Sequence, residues 1–96
     1  MDAHARRATL FSKYHRFIEK PPMIDSRAFF PSIFCISDSC VYVFGGSNEV
    51  DDLAACEKYS VQENVWRKIA PMRIKRNAAS IVAFDRVIFV FGGNNN

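Results

Sequence analysis

The stretch Val41 Tyr42 Val43 Phe44 Gly45 Gly46 returns later in the chain as Val87 Ile88 Phe89 Val90 Phe91 Gly92 Gly93. Each copy is a run of β-branched and aromatic residues ended by two glycines, the pattern of a buried strand stopped by a constrained turn. The echo extends upstream. Pro22 and Met23 recur as Pro71 and Met72, and Arg27 recurs as Arg76, all displaced by 49 positions, while the glycine pair is displaced by 47. Internal recurrence at this period means that similar units stack side by side, each needing its neighbours to cover its faces. That requirement limits the chain to repeat architectures.

Between the two glycine pairs stand Tyr59, Trp66 and the Pro71 Met72 pair that precedes Arg76. The ordered set of an Arg, a hydrophobic hairpin ending in Gly Gly, a variable loop, a Tyr, a Trp and a Pro Met resembles the kelch repeat, a β-propeller blade of about 50 residues. A WD40 blade has a shorter period and closes on Trp Asp, whereas Trp66 is followed by Arg67. The resemblance implies an all-β chain: a partial kelch-type β-propeller, about two blades of four-stranded antiparallel sheet, not closed.

The chain divides accordingly. Residues 1–8 hold little to bury and are expected to be a flexible N-terminal segment. Over residues 9–20, Leu10, Phe11, Tyr14, Phe17 and Ile18 fit a helical period. The repeat register instead puts Leu10 at the position of Tyr59 and Phe17 at that of Trp66, so residues 9–26 are read as the last two strands of a preceding blade. Residues 27–75 form the complete blade. Its strands are expected near 32–36, 40–44, 55–60 and 65–69, with turns at Ser37 Asp38 Ser39 and Gln62 Glu63 Asn64. Residues 76–96 give the first two strands of a following blade, at 80–84 and 87–91, joined by Asp85 Arg86. A propeller typically needs four to eight blades. The chain therefore reads as a fragment of a longer protein, as a piece that completes a propeller with other copies through its exposed blade faces, or as a marginal open stack of sheets.

Charge and cysteine content narrow the function classes. The net charge of +3 comes from residues 1–20, where Arg6, Arg7, Lys13, Arg16 and Lys20 outnumber Asp2 and Glu19. The repeat region is neutral, so no basic face points to nucleic acid. Cys35, Cys40 and Cys56 match neither a disulfide scaffold nor a zinc spacing and read as small buried hydrophobes in a reducing, cytoplasmic compartment. No apolar run is long enough to span a membrane as a helix. His4 and His15 have no Ser, Cys or carboxylate at a telling spacing. No catalytic residue, cofactor site or metal site is recognised.

The recurrent residues are structural on this reading. The glycines admit positive φ and close approach of another backbone, and neither pair continues into a phosphate-cradling motif. Tyr59 and Trp66 are expected in the core, and Arg27 and Arg76 in each blade's own hydrogen bonding. Antiparallel topology places the loop from Ser47 to Ala54 at the same end of the sheet as the connection from Ala70 to Arg76. The resemblance implies that this face meets a protein or peptide partner, with Asn48, Glu49, Asp51, Asp52, Arg73 and Lys75 as the candidate binding residues. It also implies a non-catalytic interaction module, with the substrate-recruiting part of a ubiquitin-ligase adaptor as a finer possibility. The alternative is a fragment of a kelch-type oxidase or sugar epimerase whose catalytic residues lie elsewhere.

Overall fold

A computed structural model describes residues 8–11, 17–35 and 37–94, and among them there are strands and turns but no helix. The strands are β1 (Ala8–Phe11), β2 (Phe17–Lys20), β3 (Ser32–Cys35), β4 (Cys40–Phe44), β5 (Cys56–Ser60), β6 (Val65–Ile69), β7 (Ser80–Phe84) and β8 (Val87–Phe91). They form three antiparallel sheets in chain order: β1-β2, β3-β4-β5-β6 and β7-β8. The described residues are thus all-β and do not close into a ring, consistent with the partial propeller that the resemblance implies. Of the segment 1–8 expected to be flexible, Ala8 instead opens β1, paired with Lys20, while residues 1–7 lie outside the described residues, as does the expected end of the third strand at Ile36.

Register assigns the faces of the four-stranded sheet. Val41 stands opposite Phe34 and Tyr59, Val43 opposite Ser32 and Glu57, and Tyr59 opposite Trp66. Side chains alternate along a strand, so Phe34, Val41, Val43, Tyr59 and Trp66 share one face. Met23 is buried against it, with Phe30 packed beside the cluster. The Tyr59 and Trp66 rings lie 5.2 Å apart at 47°, and each polar tip is satisfied: the Tyr59 hydroxyl donates to Asn64 Oδ1, and Trp66 Nε1 donates to the Pro21 carbonyl at 2.8 Å. Two amphipathic rings are buried without stranding a donor. The second face carries Ile33, Cys35, Tyr42, Phe44 and Ile69, and across a cleft of about 750 Å³ it looks onto β7-β8 through Ala83 and Ile88. Cys35 and Cys40 are direct cross-strand partners on this second face. All three cysteines are free thiols, and burial pushes those of Cys40 and Cys56 up.

The turns explain why the hairpins close where they do. Asp85 and Arg86 both have positive φ, 50° and 66°, the backbone a two-residue turn needs to match strand twist. At Gly45, with φ +62°, a Cβ would lie 2.5 Å from the Arg76 carbonyl oxygen. The first glycine therefore stands where the next repeat crosses the strand end. Gly46 N–H donates to that same carbonyl at 2.8 Å.

One register expectation is corrected. In β1-β2, Phe11 stands opposite Phe17 and Leu10 opposite Ile18, whereas Tyr59 stands opposite Trp66. Phe11, rather than Leu10, therefore occupies the position of Tyr59. The β1-β2 connection, residues 12–16, is one residue longer than the β5-β6 turn at 61–64, which shifts β1 by one place relative to a constant displacement.

Candidate partner-binding surface

Two buried groups hold the scaffold beneath the surface. Arg27 and Glu57 are 1% and 0% exposed. Arg27 donates through one terminal nitrogen to the carbonyls of Gly45 and Ala55, both at 2.9 Å, and through the other to Glu57 Oε2 at 2.8 Å. Glu57 also accepts from the Ile24 amide at 2.7 Å and the Asp25 amide at 2.9 Å. A fully desolvated charge pair needs further hydrogen bonds to its remaining valences; here both terminal nitrogens of Arg27 and both oxygens of Glu57 have partners, while the buried Arg27 Nε has none. These bonds tie the segment entering the sheet to the ends of β4 and β5. Arg76 repeats part of this arrangement, donating to the Gly92 carbonyl at 2.8 Å. The recurrence of Arg27 as Arg76 signalled this role; Glu57, in an ordinary strand run, carried no such signal.

The β4-β5 loop and the β6-β7 connection are fastened along their length. Leu53 N–H donates to Gly46, Met72 N–H to Ala54 and Arg76 N–H to Leu53, at 2.8, 3.0 and 3.0 Å. The loop has an internal frame. Asn48 Oδ1 accepts from the amides of Val50 and Asp51 at 2.8 and 2.7 Å, and Asn48 N–H donates to the Asp51 carbonyl at 2.9 Å. This is an Asx turn, in which a short polar side chain replaces a missing backbone partner. It throws Val50 outward to 92% exposure.

Among the sequence-derived candidates, Asp51 and Lys75 meet: Lys75 Nζ pairs with Asp51 Oδ2, joining the two segments. The Lys75 ammonium, then the Asp52 amide, hold the Asp51 carboxyl below its ordinary 3.8. The pair accordingly stays charged at neutral pH and is lost only as pH falls below the normal carboxylate range. Glu49 and Arg73 are exposed. Asn48 is half-buried with its amide oxygen committed to the turn, and Asp52 is buried with its backbone bridged to Ser47. These two shape the loop from beneath. A shallow depression of about 240 Å³ runs among residues 47–52 and adds Asn77, which the sequence reading did not single out. The surface is thus a rigid rim with an apolar tip at Val50 and mixed charge at Glu49, Asp51, Arg73 and Lys75. Among the described residues no group of three or more His, Cys, Asp or Glu is arranged to hold a metal.

Comparison with known proteins agrees with this construction. The kelch motif model matches residues 34–73. The chain is 28% identical over 76 residues to Kelch repeat and BTB domain-containing protein 2 of cowpox virus (strain GRI-90 / Grishak), a match covering 79% of this chain and 13% of that protein. It is 33% identical over 67 residues to Kelch-like protein 25 of Rattus norvegicus, covering 60% of this chain and 11% of that protein. Alpha-scruin of Limulus polyphemus is 38% identical over 63 residues, covering 58% of this chain and 7% of that protein. The chain therefore spans a small part of the length of these relatives.

Proposed function

Because this chain belongs to the kelch-repeat family, we propose that it is a non-catalytic protein-interaction module that meets a protein or peptide partner through the rim formed by the β4-β5 loop and the β6-β7 connection. The observation that carries the reading is the pinned pair of segments. Their backbones are hydrogen-bonded to each other and their tips are linked by Asp51 and Lys75, so Glu49, Val50 and Arg73 are presented in fixed positions on a scaffold that has lost its entropy already. Balanced charge around an exposed apolar tip suits a peptide or protein better than a polyanion.

The finer reading is a substrate-recruiting part of a ubiquitin-ligase adaptor acting in the cytoplasm. Its support is the family resemblance, the pairing of kelch repeats with a BTB domain in the names of the poxvirus relatives, and the free state of the three thiols. Among the described residues no helix is long and apolar enough to cross a membrane.

The test is affinity capture on immobilised chain, comparing the natural sequence with Glu49→Ala, Val50→Ser and Arg73→Ala combined. The three side chains are exposed, and Val50→Ser keeps the backbone amide that donates to Asn48, so melting temperature is expected to hold. Captured partner is expected to fall tenfold or more, by roughly 1.4 kcal/mol per factor of ten. Equal recovery by both proteins removes the surface from the account.

A further inference from the structure

Two of the three cysteines stand at the same level of one hairpin. Cys35 and Cys40 flank the β3-β4 turn, and the length of that turn leaves them as direct cross-strand partners, one place beyond Phe34 and Val41. Both side chains therefore lie on the second face of the sheet. Directly opposed residues of an antiparallel pair have Cα atoms about 4.5 or 5.5 Å apart, according to whether they exchange ladder hydrogen bonds. The ladder fixes which applies. Phe44 N–H donates to the Pro31 carbonyl at 3.2 Å, and alternation from there puts Cys35 and Cys40 in the hydrogen-bonded class, at about 5.5 Å. A disulfide most often spans about 5.5–6 Å between Cα atoms. Cβ atoms of opposed residues are about 4.5–5.5 Å apart, wider than the mean of about 3.8 Å in a disulfide. Closing the bond therefore draws the strands together locally and leaves it easily reduced.

The two thiols differ in access. Cys35 is half-buried on the wall of the cleft, with its sulfur 3.1 Å from the Ser37 hydroxyl. Cys40 is buried, and its thiol donates to the Asp38 carbonyl at 3.5 Å. Burial, then the neighbouring Asp38 and Cys35, push the Cys40 thiol up. Cys35 is thus the member that meets solvent first, and Cys40 the protonated member held behind it. Cys56 supplies an internal contrast. It is buried, stands opposite Phe44 and Ile69, and has no cysteine across from it. The rim formed by the β4-β5 loop and the β6-β7 connection lies at the other end of the sheet and uses neither Cys35 nor Cys40.

We infer that Cys35 and Cys40 form a two-electron redox site, closed to a disulfide by hydrogen peroxide and reopened by a thiol reductant. The Cys35 thiolate attacks a peroxide oxygen, the O–O bond breaks, and the departing hydroxide takes up a proton and leaves as water. Cys35 is then a sulfenic acid. The Cys40 sulfur attacks the Cys35 sulfur, the S–O bond breaks, and a second water carries away the Cys40 proton. Each sulfur has given up one electron and the peroxide has gained two. Oxidation removes the thiol contacts to Ser37 and to the Asp38 carbonyl, so the turn at residues 37–39 is where the fold responds. Asp38 of that turn also accepts from the Cys40 amide and the Tyr42 hydroxyl, and the turn borders the cleft opposite Asp85 and Arg86.

The test treats the full chain with hydrogen peroxide in near-stoichiometric amount, unfolds it, blocks the remaining thiols by alkylation and maps the peptides. The expected product has Cys35 joined to Cys40 within one chain and Cys56 alkylated, and excess dithiothreitol returns both thiols. Cys40→Ser is expected to stop at a Cys35 sulfenic acid that dimedone traps. Cys35→Ser is expected to lose peroxide-dependent oxidation by about tenfold or more, because the remaining thiols are buried. The natural chain decides the matter where a variant fails to fold. Disulfides between chains, a link to Cys56, or thiols that pass to sulfinic acid without pairing overturn the inference. So does a 35–40 disulfide that forms only in denaturant.

Discussion

The hairpins β3-β4 and β7-β8 are written with the same pattern and folded with the same register of strands and glycines, yet they differ in burial. Val43 is 2% exposed whereas Val90 is only half-buried, and Phe44 is half-buried whereas Phe91 is 53% exposed. Arg27 is enclosed by two carbonyls and a carboxylate, while Arg76 keeps one carbonyl from its own repeat. The local sequence specifies a hairpin; the two strands beside it and the sheets stacked on it decide whether that hairpin becomes core. Stability in a repeat architecture accordingly sits largely at the contacts between units.

The comparison can be broken most severely at the arginines. Arg27→Ala leaves Glu57 buried without its counter-charge and is expected to cost about 3–5 kcal/mol. Arg76→Ala removes one exposed hydrogen bond, worth about 1 kcal/mol. Chemical denaturation of the two variants checks the gap, and equal losses would show that the buried pair is not what distinguishes the two repeats. The first glycines sharpen the contrast at a smaller scale. A Cβ at Gly45 meets the Arg76 carbonyl at 2.5 Å and the Leu53 carbonyl at 2.9 Å, whereas a Cβ at Gly92 meets nothing within 4 Å. Gly45→Ala combines the left-handed backbone cost with overpacking, about 3 kcal/mol or more, and Gly92→Ala carries the backbone cost alone, about 1–2 kcal/mol. Thermal melts of both variants give the difference directly.

Much of this fold was legible from recurrence. Four strands, at 40–44, 65–69, 80–84 and 87–91, lie where the alternation and glycine signals place them, because β-branched runs bounded by turn residues leave little choice of ends. Over residues 9–20 the apolar residues fit both a helical period and the repeat register, and the described residues there, 9–11 and 17–20, are strands: three helical turns of periodicity count for less than an order of residues seen twice. The register carried its own error at Leu10, since an extra residue in a turn shifts a strand without leaving a trace in composition. Glu57 was invisible for a different reason. A carboxylate in an alternating strand reads as solvent-facing, and only the three-dimensional return of residues 24–27 turns its position into a buried acceptor. At the candidate surface, topology brought the two segments together correctly in sequence terms, but it could not distinguish Asn48 and Asp52, used beneath the loop, from Glu49 and Arg73, presented above it. That distinction depends on the Asx turn, whose hydrogen bonds are local and specific to one backbone path.

The claim that burial is conferred by neighbouring sheets is tested most directly by amide hydrogen exchange along β5 and β8. Amides of β5, paired on both sides and buried, are expected to exchange at least about a hundredfold more slowly than those of β8. Protection of β8 equal to that of β5 would contradict the account.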